Sequence, residues 1–276
     1  MADEVRLAKL LSRRGLASRR LAERWIIEGR VTVDGQRVPV ATLVDPTVAD
    51  VRVDGKRLPA EPEKVYLLMY KPRGFITGRD DPQGRKSVLD LLDELRVKVE
   101  PVGRLDLDTE GALLLTNDGD LAHKLTHPSR RVPKRYLAKV YRTPDDADLQ
   151  KIRAGKVFLD DGAALPALVR VTDTTDGTNA WVEITVTEGR NRLIRRLFAA
   201  LRHPVSKLRR ESFATLSIRG LERGQARPLT QNEVHRLQDI AEGRRPSTAG
   251  KTKGKGFARA KPRKPRIGGR RRTRGT

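Results

Sequence analysis

A Val-Xaa-Val-Asp-Gly phrase occurs twice, twenty residues apart, as Val31-Thr32-Val33-Asp34-Gly35-Gln36-Arg37-Val38 and Val51-Arg52-Val53-Asp54-Gly55-Lys56-Arg57-Leu58. Asp-Gly between alternating apolar residues specifies a two-residue hairpin turn, because both turn positions need positive φ. The chain ahead of these hairpins reads as two helices. Residues 4–13 place Leu7, Leu10 and Leu11 on one face, and Gly15 suits the stop. Ser18 is the N-cap of a second helix running through Glu28, with Ala22, Trp25 and Ile26 inward and Gly29 beyond its end. Leu21 at the position where Glu or Gln would close a capping box leaves that box unformed.

Arg13, Arg14, Arg19 and Arg20 gather around the turn between these helices, flanked by Lys9 and Arg24. That density favours a phosphate-facing patch over an ordinary solvated surface. Two basic helices followed by a small hairpin sheet resemble the S4 RNA-binding domain. The resemblance implies RNA as partner and leaves the reaction open.

The whole chain of 276 residues carries +23, and the tail beyond Glu242 holds 14 Lys and Arg with no acid. Residues 1–242 therefore retain +9, so the basic character belongs to the body as well as the tail. A polyphosphate partner bound through counterion release suits such a body. Cysteine is absent, which excludes disulfides, thiolate catalysis and cysteine-ligated zinc. His123 and His127 lack the acid of an HExxH arrangement and precede Pro128, so they read as surface or turn residues. No signal-peptide progression opens the chain and no apolar run reaches the ~18 residues of a membrane span, so the expected compartment is the cytoplasm.

Against that positive background stands an acidic knot, Val102-Gly103-Arg104-Leu105-Asp106-Leu107-Asp108-Thr109-Glu110-Gly111, running directly into Ala112-Leu113-Leu114-Leu115-Thr116. Spacing alone admits a loop of solvated or arginine-paired acids, the first half of a calcium loop, or a paired-carboxylate site. The calcium reading fails at its twelfth position, which is Asn117, and no helix is evident before Asp106. Val102–Asp106 is expected to end a strand, Thr109–Gly111 to turn, and Ala112–Thr116 to be a buried strand.

Around the knot, Pro59-Ala60-Glu61-Pro62 forms a stiff linker and Val65–Tyr70 a strand ending in Lys71-Pro72-Arg73-Gly74. Residues 79–86 are expected as a polar loop, and Ser87 as the cap of a short helix over 88–95. Asp118-Gly119 leads to a helix over 120–125. Lys134–Tyr141 is a strand with Tyr136, Ala138 and Val140 on one face. A helix over 144–153, irregular strands to Thr172 and a strand over 180–187 follow. Glu188-Gly189-Arg190-Asn191-Arg192 then turns into a helix over 193–201. A strand over 205–218 follows, and Thr230-Gln231-Asn232-Glu233 opens the last helix with a capping box. The Gly-, Pro-, Lys- and Arg-rich tail is expected to be disordered.

The phrases Lys71-Pro72-Arg73-Gly74, Gly103-Arg104-Leu105-Asp106, Lys134-Arg135-Tyr136 and Glu188-Gly189-Arg190-Asn191-Arg192, in that order behind an S4 domain, resemble the RsuA-type family of ribosomal RNA pseudouridine synthases. With its basic tail the chain looks most like the family's RluB, large-subunit branch. The fold implied is α+β: an S4 domain (two helices plus a small sheet) over 1–58, a linker over 59–64, and a catalytic domain over 65–242. That domain should hold a mixed, largely antiparallel sheet with flanking helices, followed by the tail at 243–276. The implied partner is ribosomal RNA or a pre-ribosomal particle, met by a monomer.

Uridine isomerisation breaks the N1–C1′ bond, turns the uracil and rejoins it through C5, and needs no cofactor, metal or redox equivalent. It needs an ionised carboxylate beside C1′, as nucleophile or as base. The resemblance assigns this to Asp106, with Arg195 as the cation that offsets its desolvation and Tyr136 as the aromatic stacked on the uracil. Arg104, Arg190 and Arg192 are implied RNA contacts, beside the six basic residues of the S4 patch. Asp108 and Glu110 are expected to fix the turn through backbone hydrogen bonds. Family members usually carry Gln and Met where this chain has Leu193 and Leu197. Competing readings are a catalytically silent ribosome-assembly factor, a synthase acting on 16S RNA, and a glycoside hydrolase, the last ill-suited to 4% aromatics.

Overall fold

The computed structural model describes residues 4–78, 81–92, 95, 97–175 and 178–244. The basic tail from 245 onward, and the start of the loop expected over 79–86, lie outside the described residues.

The first residues form β1 (Val5–Arg6) and not helix, because they pair with a later strand, and α1 runs over Leu7–Arg13. α2 (Arg19–Ile27) starts at Ser18, whose hydroxyl accepts from the Leu21 amide. Next come β2 (Val31–Val33), β3 (Gln36–Arg37), β4 (Leu43–Val44, the partner of β1), β5 (Val51–Val53) and β6 (Lys56–Arg57). Asp34-Gly35 and Asp54-Gly55 all take positive φ, as the Asp-Gly turns require, and the sheet order is β3-β2-β5-β6. Leu7, Leu10, Leu11, Ala22, Ile26, Val31 and Val51 fill a core beneath this layer.

The larger sheet is built from β7 (Tyr66–Lys71), β8 (Glu100–Pro101), β9 (Thr109–Thr116), β10 (Lys134–Tyr141), β13 (Leu168–Thr175), β14 (Asn179–Val186), β15 (Val205–Phe213), β16 (Leu216–Ser217) and β17 (Ala226–Pro228); the numbers between belong to the small hairpin β11 (Phe158–Leu159) and β12 (Gly162–Ala163). Its helices are α3 (Gly119–Thr126), α4 (Asp146–Arg153), α5 (Leu193–Ala200) and α6 (Gln231–Ala241), the last opened by the Thr230–Glu233 capping box. The strand order is β13-β14-β10-β15-β9-β7-β17. Every pairing is antiparallel except β9 with β15, so two antiparallel halves meet at one parallel seam.

β9 is apolar almost throughout because both its faces are covered. Ala112 and Leu114 pack with α3 and α6, while Leu113 and Leu115 face Leu67, Met69, Val88 and Val99. That continuous burial carries the strand back to Thr109, so the expected turn at 109–111 instead lies at Asp106–Thr109, closed by the Thr109 amide on the Asp106 carbonyl at 3.1 Å. Further segments differ in detail: the strand expected to end over 102–106 stops at Pro101, and the one expected over 205–218 folds back at Ala214 as the β15–β16 hairpin. The helix expected over 88–95 is a 3-10 turn over Val88–Leu91, and the irregular strands include the regular β13.

At the seam, Gly111 lies opposite Arg210 with φ +121°, and a Cβ there would stand 2.2 Å from the Arg210 carbonyl oxygen. Only glycine lets the two halves approach so closely.

Candidate active site

The acidic knot is a loop held by its carbonyls. Lys71 ends β7, is fully buried, and donates to the carbonyls of Pro72 (3.0 Å), Asp106 (3.1 Å) and Thr109 (2.9 Å). The Gly74 amide reaches Leu107 O at 2.8 Å, Arg73 Nε reaches Asp108 O at 3.1 Å, and Thr77 Oγ1 donates to Leu105 O at 2.7 Å. The Lys-Pro-Arg-Gly phrase is therefore the cradle of the loop. Burial pushes Lys71 down to about 8, opposed chiefly by the charges of Asp106 and Asp108. Its three acceptors match the three protons of an ammonium, the form present at neutral pH.

With the backbone fixed, each carboxylate makes its shortest ion pair with a different arginine, and Arg192 Nη1 also stands 3.7 Å from Asp108 Oδ1. Asp106 Oδ2 lies 3.5 Å from Arg192 Nη1. Asp108 Oδ2 lies 2.9 Å from Arg195 Nη2, and Glu110 Oε2 accepts from Arg223 Nε at 2.9 Å. A chelating calcium loop or a paired-acid glycosidase site needs acids free to converge on one ligand, whereas here Asp106 and Asp108 share the Arg192 guanidinium and Glu110 turns to Arg223. Asp108 and Glu110 thus act through side-chain ion pairs and not through the expected backbone bonds. Although burial favours its neutral form, Arg223, with Arg209 and Tyr70, holds Glu110 below the usual carboxylate range.

Asp106 opens into a cavity of about 590 Å³ at the seam. Gly103, Arg104 and Asp106 form one wall, Tyr136, Lys134 and Arg210 come from neighbouring strands of the sheet, and Arg192, Leu193 and Ile194 from the start of α5. The size suits one nucleotide-scale ligand. Tyr136 is 9% exposed and shares its sheet face with Ala138 and Val140, as its alternation predicts. Arg192 holds left-handed backbone geometry at φ 46°, a strained conformation for a side chain this size and one that recurs at functional sites.

Several predicted residues are positioned differently. Arg195 packs under the loop, not in the cavity lining: its Nη1 donates to Val205 O at 3.0 Å and its Nη2 pairs with Asp108. Burial lowers its pKa from the usual arginine range, with Asp108 the principal opposing charge. Arg190 is committed within the protein, to Glu188 at 2.9 Å, Asp161 at 2.7 Å and the carbonyls of Gly162 and Ala163. It ties the β11–β12 hairpin to the cavity rim. Of the basic residues near the chain start, Lys9 and Arg13 pair with Asp120 of α3 and Arg14 donates to Pro59 O, whereas Arg19, Arg20 and Arg24 are exposed. Leu193 is buried in the cavity wall and Leu197 in the core behind it. His127 caps the 3-10 turn over Pro128–Arg130, as a turn residue, and also lines the cavity.

Lys71, Lys134 and Arg210 went unassigned in the sequence. Arg210 had a readable signal, since it stands two residues from the inward Leu208 on an alternating strand.

Residues 65–200 match the RNA pseudouridylate synthase family and residues 5–48 the S4 domain. The chain is 43% identical over 239 residues to the ribosomal large subunit pseudouridine synthase B of Bacillus subtilis, covering 86% of this chain and 97% of that protein. It is 46% identical to an uncharacterized RNA pseudouridine synthase of Mycobacterium tuberculosis, over 84% of this chain and 92% of the relative. A crystal structure of a pseudouridylate synthase superposes with a TM-score of 0.60 at 28% identity, over 84% of this chain and 99% of that one.

Proposed function

Since the chain belongs to the RNA pseudouridylate synthase family, we propose that it converts a specific uridine of large-subunit ribosomal RNA to pseudouridine, with Asp106 as the catalytic carboxylate. One observation carries this reading: Asp106 is the acid of the knot that lines the cavity, with Tyr136 lining the same cavity from the sheet and a guanidinium 3.5 Å from its carboxylate.

A flipped uridine enters with C1′ toward Asp106 and its base against Tyr136. The N1–C1′ bond breaks, the base turns, C5 bonds to C1′, and the C5 proton is lost while N1 gains one. Asp106 serves either by adding to C1′ or by taking a ribose proton, and both roles need the ionised acid that Arg192 supports. Residues 1–58 act as the docking module, 59–64 as linker and 65–242 as the synthase. The protein works as a cytoplasmic monomer on ribosomal RNA or a pre-ribosomal particle.

The test is tritium release from C5-labelled, unmodified large-subunit RNA. The wild type should release tritium at one site, and Asp106→Asn should release none while binding the RNA equally well. Normal turnover by Asp106→Asn, or cellular rescue by a folded Asp106→Ala protein, refutes the assignment, the latter in favour of an assembly factor.

A further inference from the structure

Besides the exposed Arg104, two cations lining the cavity have no acid partner among the described residues. Arg210 is 2% exposed, its Nε donates to Ala112 O at 2.7 Å, and its buried Nη2 has no hydrogen-bond partner. Lys134 donates to Val132 O at 2.9 Å. Among the described residues neither makes an ion pair. Glu188, the acid whose charge Lys134 senses, is already bound to Arg190 and to the Leu165 amide. The surroundings are apolar: Leu125, Val132, Val186, Leu208 and Phe213 line the same cavity, and the Phe213 ring centroid lies 5.3 Å from the Arg210 guanidinium carbon.

A buried guanidinium with a free donor next to a half-buried ammonium is costly unless the working state brings an anion to it. Their placement says which one. Tyr136 and Arg210 are register partners on β10 and β15, and Lys134 stands two residues before Tyr136, so all three share one sheet face beneath the cavity. Asp106 stands in a different wall.

We propose that Arg210 and Lys134 are catalytic groups that stabilise the uracil anion formed when the N1–C1′ bond breaks. The inference rests on the reading of Asp106 above. In the heterolysis the electron pair of the N1–C1′ bond stays with the base, as an anion spread over N1, O2 and O4. The carboxylate loses its charge in the same step, either by bonding to C1′ or by accepting a ribose proton. On both routes one negative charge moves from Asp106 to the base, and the cavity holds cations at both stations: Arg192 at the first, Arg210 and Lys134 at the second. Fixed charges in an apolar site need no reorganisation as the charge arrives. Burial and the neighbouring Arg210 push Lys134 down to about 8, the electrostatic mark of an ammonium that lacks its anion.

The test compares Arg210→Met, Arg210→Lys and Lys134→Met with wild type in single-turnover isomerisation of large-subunit RNA, beside RNA affinity as a function of salt. Arg210→Met should slow the reaction by roughly 100-fold or more with affinity and salt slope unchanged, and Arg210→Lys should recover part of the rate. The deficit should shrink when the target base is 5-fluorouracil, whose anion is intrinsically more stable, as read by mass spectrometry of the rearranged nucleoside. If Arg210→Met does not fold, Lys134→Met carries the same comparison. An unchanged rate overturns the proposal, and so does an equal deficit on both bases. Weakened, less salt-sensitive binding also overturns it, by assigning the two cations to an RNA phosphate. Absence of pseudouridine from the wild-type reaction would instead refute the underlying reading.

Discussion

Arg195 grips Asp108, two residues beyond the acid it was expected to serve, with Nη2 2.9 Å from Oδ2, while the cation beside Asp106 is Arg192 at 3.5 Å. The Arg195 side chain is 12% exposed and also bonds Val205 O, so it fastens α5 and β15 to the loop. Asp108 is thereby the anchor that lets Asp106 face the cavity without a tight ion pair of its own. Arg192, at 46% side-chain exposure, can yield to a substrate as Arg195 cannot.

That division of labour predicts different couplings. In a double-mutant cycle on unfolding free energy, Arg195→Met and Asp108→Ala should couple by roughly 1 kcal/mol, a modest value because Asp108 is partly solvated. Arg195→Met with Asp106→Ala should couple clearly less. Equal coupling in the two cycles would show that Arg195 serves both acids alike.

The seam makes a steric prediction. Gly111→Ala places a methyl group against the Arg210 backbone at φ +121° and should destabilise by about 3 kcal/mol or more, since the backbone of two strands must move. Gly103→Ala, at φ +74° with only Thr126 at 3.8 Å, should cost roughly 1 kcal/mol from backbone strain alone. Thermal unfolding of both variants tests the ranking, and comparable losses would mean that the seam tolerates separation.

Much of this was readable in the chain. The Asp-Gly turns, the Ser18, Ser87 and Thr230 caps, and the alternation that turns Tyr136 inward are local signals with local causes. The boundaries that moved are those decided by distant partners. Val5 is a strand because Val44 pairs with it, and Thr109 is a strand residue because Leu208 lies opposite. The ion pairs of the knot were illegible for the same reason: alternating acids do not show which arginine, 86 to 113 positions downstream, each one meets.

Lys71 and Lys134, each brought to about 8 mainly by burial, predict opposite responses of activity and stability to pH. Lys71 faces Asp106, Asp108, Glu110 and Arg210, and Lys134 faces Arg210 and Glu188. Above about pH 8 Lys71 loses one of its three loop bonds and the cavity loses a cation, so single-turnover rates should fall. Both folded values lie below the ordinary 10.5, so between about 8 and 10.5 the unfolded chain binds more protons than the folded one. These two groups therefore make stability rise with pH across that window. A rate that stays flat through pH 8, with no loss of fold, would remove both lysines from the mechanism.

The last prediction concerns RNA docking. Asp120, in the first turn of α3, pairs with Lys9 at 2.6 Å and with Arg13, and Lys98 Nζ reaches Gly15 O at 3.4 Å. Although burial favours its neutral form, Lys9 and Arg13 hold Asp120 below the ordinary carboxylate range. Two cations of the N-terminal patch are thus neutralised before RNA arrives, and a phosphate must displace a carboxylate to use them. Arg19, Arg20 and Arg24 are exposed and available at once. Asp120→Ala should therefore tighten RNA binding and steepen the dependence of log K on log salt by roughly 1 to 2, as the released cations find phosphates. Arg19→Ala and Arg20→Ala should each flatten that slope by about 1, and Lys9→Ala should change it little while Asp120 is intact. A slope unmoved by Asp120→Ala, together with a strong effect of Lys9→Ala in the wild-type background, would mean that RNA already outcompetes Asp120 and that the contact serves only to hold α1 against α3.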